Sequence, residues 1–508
     1  MNSNAPNVLA HKQKIIQGDS GTVEAQHNAG KMTARERINQ IIDDGTFIET
    51  DVFSKGRPDL FGNIADAYAE GVVSGFGTVD GRPVYIYSQD FSALSGSVGE
   101  MNAKKICKVM DMAAKNGVPL IGILDSAGAR IREGADALNA YAEIFAKASQ
   151  LSGVVPQISL ICGPCIGAAA IAASMSDITL SVEGIGQTGA YGSYVYDASM
   201  AKENASDICS AKYAYEKSHL VNLVYKSEKD CFQALKVLLG FLPSSNSDDA
   251  PVVGCSDDLN RNIPEFDGIM AADSYDVKTV VSLLSDHSVT FELSAGYAPN
   301  VVTTFIRLNG RAIGVVANQP KASEGKLDFY AAKKAASFVS LCDAFNIPVL
   351  TLVDSRGIAV AADQEEAGLV KALGRLASAY SSSTVPMVTM ILNNAIGSAY
   401  AVMGSKAIGA DMVYAWPSAE ISPVGSDSAA IMLYDDAVRN DPDQQKAKDE
   451  VLAKYRREFA NPVIAAERGY IDDIIDPINT RPILVAAFEM LAYKTVDMPF
   501  RKHDSMGY

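Results

Sequence analysis

Short apolar runs alternate with longer amphipathic stretches along the chain. Residues 84–87 (VYIY), 120–124 (LIGIL) and 349–353 (VLTLV) are β-branched or leucine-rich runs of strand length. Between the first two, Ile106, Met110 and Ala113 recur at the spacing of one helix face. Ahead of them, Ser97-Val98-Gly99-Glu100 has the serine-to-glutamate spacing of a capping box, so a helix is expected to follow it. Gly117 is expected to end that helix, as is Asn346 at the equivalent place further on, because both residue types tolerate left-handed backbone. Strand, helix, strand, strand, helix at these spacings predicts an α/β domain with buried sheets. Upstream, residues 32–49 (MTARERINQIIDDGTFIE) predict an amphipathic helix ending near Asp44-Gly45. Residues 1–30 are polar, and a loosely ordered tail is expected there.

The pattern occurs twice. Residues 81–128 (GRPVYIYSQDF to GVPLIGILDSAG) repeat as residues 310–357 (GRAIGVVANQP to NIPVLTLVDSRG). Ala103, Lys104, Lys105, Pro119, Asp125, Ser126 and Gly128 match Ala332, Lys333, Lys334, Pro348, Asp354, Ser355 and Gly357 at one offset, 332 − 103 = 229. After a shift of one residue, VVPQISLICGPCIGAAA lies over TVPMVTMILNNAIGSAY, so that Pro156 and Gly167 fall on Pro386 and Gly397. Such self-similarity predicts two copies of one domain. Residues 241–268 are rich in Pro, Ser, Asn and Asp with little periodicity, which divides the chain into domains 31–245 and 267–508 joined by a linker at 246–266.

Length supports that division, since 508 residues exceed one core and fit two domains of about 200–250 residues. The 60 acidic against 44 basic residues leave a net charge of -16, which opposes binding to nucleic acid or anionic lipid. A phosphate-bearing ligand must therefore be held by local groups. The seven cysteines mostly sit in apolar runs, and no run of about 18 apolar residues occurs, which together predict a reduced, soluble, cytoplasmic protein.

Two small-residue turns follow apolar strands, Cys162-Gly163-Pro164-Cys165-Ile166-Gly167-Ala168-Ala169 and Asn393-Asn394-Ala395-Ile396-Gly397-Ser398-Ala399. Minimal side chains let a substrate oxygen approach backbone N–H groups, and a helix opening there adds a favourable dipole. Each such donor is worth roughly 2.7–4 kcal/mol against charge that develops in a transition state. One turn alone reads as tight helix–sheet packing. Two at equivalent positions point to oxyanion holes.

GKMTARERI, GRPVYIYSQDF, SGSVGEMNAKKI, DSAGARIREGADAL, the GPCIGAA turn, YAPN, GVVANQP, CDAFNIPV, VDSRG with the QE after it, GSAYAVMGSK, AWPSAE and NPVIAAERGYIDDII closely resemble the carboxyltransferase subunits of biotin-dependent acyl-CoA carboxylases and decarboxylases. That group includes propionyl-CoA carboxylase, methylmalonyl-CoA decarboxylase and transcarboxylase, and the resemblance spans residues 30–503. It implies two tandem crotonase-like domains and a ring-shaped homohexamer, with acyl-CoA on the first domain and biotin on the second. Active sites would lie where the first domain of one subunit faces the second domain of another. The first oxyanion hole maps onto Gly167 and Ala168, and the second onto the residues from Gly397, namely Ser398 and Ala399. Neither a metal nor a side-chain base is implied, because biotin released from carboxybiotin can take the α-proton itself. Arg130 and Arg132 are candidates for a CoA phosphate, with an ordinary loop salt bridge as the alternative.

The chain departs from the pattern at three places. Ala168 replaces the usual second glycine of the first hole, and Asp354-Ser355-Arg356-Gly357-Ile358 stands where Asp-x-Pro-Gly-Phe is common. Ala401, beside Tyr400, occupies a position that lines the acyl pocket in relatives, so the size of the acyl group stays open.

Several motifs have bland readings. Cys162-Gly163-Pro164-Cys165 has thioredoxin-type spacing but lies in an apolar strand-turn, and no second CxxC or paired-His motif completes a zinc site. Gly184-Ile185-Gly186-Gln187-Thr188-Gly189 fits a dinucleotide fingerprint without a clear βαβ continuation. Val109-Met110-Asp111-Met112 cannot carry biotin, since aspartate does not form that amide. His11, His27, His219, His287 and His503 are scattered. Nothing resembles a biotin carrier or an ATP-binding module, so separate biotin carboxyl carrier and biotin carboxylase subunits, or a membrane sodium-pumping decarboxylase, are the expected partners. Carboxylation and decarboxylation are both open, and a crotonase-type hydratase or isomerase, which needs an acid/base carboxylate beside the hole, is the competing class.

Overall fold

The computed structural model describes residues 5–58, 62, 68–193, 195–196, 205–272, 274–429, 432–433, 442–499 and 502; His503 lies outside them. The chain divides into two units, Met1–Asp249 and Ala250–Tyr508.

The first unit is built on a seven-stranded sheet. β1 (Ile48–Thr50), β2 (Val72–Val79) and β3 (Arg82–Gln89) pair antiparallel. β4 (Leu120–Leu124) and β5 (Gln157–Ile161) continue it in parallel, Tyr85 facing Leu120 and Leu120 facing Gln157. A short strand β6 (Pro164–Ile166) then leaves the sheet, β7 (Ile178–Val182) rejoins it, and β8 (Gln187–Gly189) pairs with β6. β9 (Leu223–Tyr225) closes the edge. Every residue of β4, β5 and β7 is buried, as a parallel sheet covered on both faces requires. The helices Glu100–Asn116 and Ala135–Leu151 bury Ile106, Met110, Ala113, Tyr141 and Ile144 on one face.

The second unit repeats the plan. β10 (Thr290–Leu293), β11 (Val301–Leu308) and β12 (Arg311–Asn318) are antiparallel, and β13 (Val349–Ser355), β14 (Met387–Ile396) and β15 (Met412–Ala415) follow in parallel. β16 (Glu420–Ser422) pairs with the end of β14, and β17 (Asp473–Ile474) completes the edge. Trp416 and Phe266, with ring centroids 5.5 Å apart, lie in its main core.

Gly117 ends its helix with φ 61°, and Asn346 takes φ 53° at the equivalent stop. Three expectations are corrected. Where a loose tail was expected, the helices Ala5–Gln17 and Ser20–Asn28 form, and Gln26 is buried because its amide donates to Asp125 at 3.0 Å and to the Met32 carbonyl at 3.1 Å. Ser97 caps nothing: its hydroxyl bonds Leu94 O at 2.7 Å, Val98 is held to Gly128 O, and the helix opens only at Glu100, whose N–H donates to Glu133 at 2.8 Å. The reciprocal capping box sits instead at Thr33 and Glu36. That helix stops at Ile41, before Asp44, because Asp43 turns to accept from Thr78, Asp80 and Gly81 and so closes the β2–β3 hairpin. From residue 246 no helix or strand forms until Glu265–Met270.

Candidate active site

The glycines of both small-residue turns, Gly167 and Gly397, lie just beyond the carboxyl ends of parallel strands. In the first unit Gly167 takes φ 64° and ψ -123°, which strains any residue with a Cβ, and the helix Ala168–Ser174 starts immediately after it. In the second, Gly397 takes φ 64° at the start of Gly397–Ala401, and a Cβ there would stand 3.1 Å from the Pro423 carbonyl. Two chain segments thus make the same rare turn at repeat-equivalent positions.

Gly167 does not itself present a donor, because its N–H is spent on Gly189 O at 2.8 Å. The first bond within the helix runs from Ile171 N–H to Gly167 O at 3.1 Å, so the amides of Ala168, Ala169 and Ala170 have no acceptor inside it, as expected at any helix start. Ser398 and Ala399 stand equivalently in the second unit, with Ser398 exposed and Ala399 buried. The methyl group of Ala168 is half-buried.

Each turn rests on the aspartate at the carboxyl end of the neighbouring parallel strand, β4 or β13. Asp125 lies so close under Gly163 that a Cβ at Gly163 would strike its carboxylate. Lys31 Nζ donates to it at 2.7 and 2.9 Å, Arg37 Nη1 at 2.8 Å and Gln26 at 3.0 Å. Arg37, fully buried, also donates to Glu228 at 2.6 Å and to the Cys162 carbonyl at 2.9 Å, so the amino-terminal segment grips the turn. Among the described residues, the hydrogen bonds to Asp354 come from neutral groups, Tyr275 OH at 2.8 Å and the backbone and side-chain N–H of Asn394 at 3.0 and 2.8 Å, while the charge of Arg356 acts on it through space. Burial pushes Asp354 above the ordinary carboxylate range, and burial next to Asp354 pushes the Tyr275 hydroxyl up.

A second matched feature faces the same strand ends. Leu94, Ser95 and Gly96 have φ of 52°, 52° and 59°, and Ser323, Glu324 and Gly325, exactly 229 residues on, have 49°, 55° and 66°. Left-handed backbone at non-glycine residues costs about 1–3 kcal/mol each, so its retention in both copies marks a constrained site. The shared glycines Gly96 and Gly325 were a signal available in the repeat alignment. Arg356, in the departing loop, is exposed, and its amide bonds Glu324 O at 3.3 Å. Behind these turns, buried Lys105 donates to the Ala69 and Val72 carbonyls, and Lys334 donates to those of Ser294, Tyr297, Ala298 and Val301 at 2.8–3.4 Å. Beside the first unit's turn, a cavity of about 500 Å³ is lined by His11, Lys14, Arg35, Asp90, Ser92 and Leu94.

Arg130 is not directed at a ligand: its guanidinium meets Glu70 at 2.6 Å and Glu133 at 2.7 Å. The loop salt bridge is the correct reading for it. Arg132 is exposed in the adjoining turn. Tyr400 is half-buried, its hydroxyl pushed up to about 12 by burial, and Ala401 is exposed on the same short helix. Cys162 and Cys165 are fully buried with thiols pushed up to about 12 by burial, the opposite of a redox-active pair. Among the described residues no group of His, Cys, Asp or Glu is arranged to hold a metal, and no helix is long and apolar enough to cross a membrane.

Comparison with known proteins gives these turns their family. The chain is 41% identical over 501 residues to the methylmalonyl-CoA decarboxylase subunit alpha of Propionigenium modestum, covering 97% of each chain. It is 41% identical over 495 residues to the propionyl-CoA carboxylase beta chain of Roseobacter denitrificans, covering 96% of each. A crystal structure of transcarboxylase 12S, with methylmalonyl-coenzyme A and methylmalonic acid bound, matches with a TM-score of 0.96 at 37% identity, over 100% of this chain and 98% of that one. The two tandem α/β units are therefore of the crotonase type. The carboxyl transferase domain profile matches residues 25–506, and the chain belongs to that carboxyltransferase family.

Proposed function

We propose that this chain transfers a carboxyl group between carboxybiotin and a short acyl-CoA, propionyl-CoA with methylmalonyl-CoA or acetyl-CoA with malonyl-CoA. The observation that carries this reading is the pair of equivalent turns, each a left-handed glycine followed by helix-opening amides. The amides of Ala168 and Ala169 stabilise the thioester oxygen as it gains charge, and those of Ser398 and Ala399 do the same for the ureido oxygen of biotin. Backbone donors of this kind suit a neutral carbonyl that becomes an oxyanion, and they need no reorganisation at the moment of reaction. The carrier-borne biotin supplies the carboxyl group; the chain's own part is to hold and polarise the two carbonyls.

A hydratase is disfavoured because the carboxylates under the turns, Asp125 and Asp354, are fully engaged by fixed donors. Exposed Ala401 leaves room for more than one acyl group. The complex would be a homohexamer with acyl-CoA on the first domain and biotin on the second, served by biotin carboxyl carrier and biotin carboxylase subunits. The relative from Propionigenium modestum, by name a methylmalonyl-CoA decarboxylase subunit, supports a second direction, decarboxylation of methylmalonyl-CoA. The test supplies the purified chain with free biotin and methylmalonyl-CoA or malonyl-CoA. Biotin-dependent decarboxylation is expected; hydration of an enoyl-CoA without it would sink the reading.

A further inference from the structure

The second unit carries a cavity whose lining differs in charge from the equivalent surface of the first unit. Between the helices Phe329–Ala344 and Leu369–Ser382 lies this cavity of about 550 Å³, lined by Phe329, Lys333, Ser337, Ser340, Lys371 and Arg375 over a floor of alanines. Lys333 sits 5.4 Å from the centre of the Phe329 ring. In a chain of net charge -16, three cations around one opening with hydroxyls and an aromatic face form a local exception.

The duplicate shows what the scaffold alone requires. At the same offset of 229, Phe329, Lys333, Ser337 and Ser340 correspond to Glu100, Lys104, Lys108 and Asp111. There the charges cancel internally: Glu100 pairs with Lys104 at 2.6 Å and Arg57 at 2.9 Å, Lys108 with Asp51 at 2.8 Å, and Asp111 with Lys147 at 2.7 Å. On the partner helix the buried residues Ala140, Tyr141 and Ile144 align with Ala372, Leu373 and Leu376, which sets Lys371 and Arg375 against Asn139 and Glu143, themselves hydrogen-bonded at 2.9 Å. Across these positions the second copy has Phe329, Ser340 and Arg375 in place of the three carboxylates Glu100, Asp111 and Glu143, Lys371 in place of Asn139 and Ser337 in place of Lys108, and it keeps the lysine at Lys333. Packing does not demand these exchanges, since the first copy packs the same helices without them.

We propose that this cavity binds a nucleoside phosphate, with the base on Phe329 and the phosphates on Lys333, Lys371 and Arg375. Its volume lies within the 300–1,000 Å³ usual for small-ligand pockets, and guanidinium, ammonium and serine hydroxyls are the ordinary donors to phosphate oxygens. The ligand is either a free adenine nucleotide or the nucleotide end of coenzyme A. The site is separate from the two turns, and its test does not depend on the carboxyl-transfer reading.

The experiment titrates the full chain with ADP, inorganic phosphate and coenzyme A by calorimetry, alongside the double variant Lys333→Gln/Lys371→Gln and the single variant Ser337→Glu. Both variants alter exposed helix positions, and circular dichroism checks their fold. Saturable ADP binding is expected, weaker at high salt, reduced at least tenfold by either variant, with phosphate competing. If coenzyme A displaces ADP one for one and loses affinity in the same variants, the ligand is the nucleotide end of coenzyme A; if it does not displace ADP, the ligand is a free nucleotide. Absence of saturable ADP binding, equal binding by folded variants, or capture of an acidic peptide in place of ADP overturns the proposal.

Discussion

Asp125 and Asp354 end equivalent strands and support equivalent turns, yet the two copies hold them by different means. Asp125 is surrounded by charge, with Lys31 and Arg37 as ion pairs and Gln26 beside them. Asp354 is surrounded by neutral donors, Tyr275 and Asn394. The geometry of the turn survives both solutions, so the carboxylate is required as an acceptor and its partner's charge is free to diverge. The two solutions differ in fragility. A buried ion pair that loses one partner leaves an uncompensated charge, whereas a neutral hydrogen bond that is lost leaves only one unmet group.

That contrast can be broken at its most sensitive point first. Gly167→Val and Gly397→Val each force a Cβ into backbone that rejects one, and each is expected to lower carboxyl transfer by 100-fold or more. Size-exclusion chromatography of the same variants separates loss of a donor site from loss of assembly; assembly lost together with activity would favour a packing role. Arg37→Met should cost about 3–5 kcal/mol in denaturant unfolding, because Asp125 and Glu228 keep their charges without it. Tyr275→Phe should cost only about 1–2 kcal/mol. Equal losses in these two variants would erase the distinction drawn between the copies.

The smallest expected effect is in pH dependence. Burial raises the Asp354 carboxyl above its ordinary value of 3.8, so the folded protein retains that proton where the unfolded chain has released it. Its contribution is therefore complete at pH below about 3.8 and declines as pH rises through the folded value. Asp354→Asn should flatten that decline in unfolding curves taken upward from about pH 4. A slope unchanged from the parent protein would assign it to other groups.

Much of this arrangement was legible in the sequence. The offset of 229 located the first strands and the helix stops at Gly117 and Asn346, and the offset after the one-residue shift, 397 − 167 = 230, located both turns, because strands, stops and small-residue turns depend on local residue types. What was not legible depends on distance along the chain. Gln26 looked like part of a polar tail because Asp125, its partner, lies 99 residues away. Ser97 looked like a cap because nothing local reveals that Val98 is tied to Gly128 and Glu100 to Glu133. Gly167 looked like a donor because the strand whose Gly189 carbonyl consumes its amide was not marked by sequence patterning. Arg130 looked available because Glu70 lies 60 residues upstream.

The grip of Arg37 on the first turn also orders events during synthesis. Arg37 leaves the ribosome early, but Asp125, Cys162 and Glu228 follow it by 88, 125 and 191 residues. Until Glu228 emerges, that guanidinium has no complete set of partners, and the first turn waits on almost the whole of its unit. The second turn closes over shorter spans, 79 residues from Tyr275 to Asp354 and 40 from there to Asn394. A nascent chain halted just short of residue 228 would expose the amino-terminal helices to protease, and one released beyond it would not.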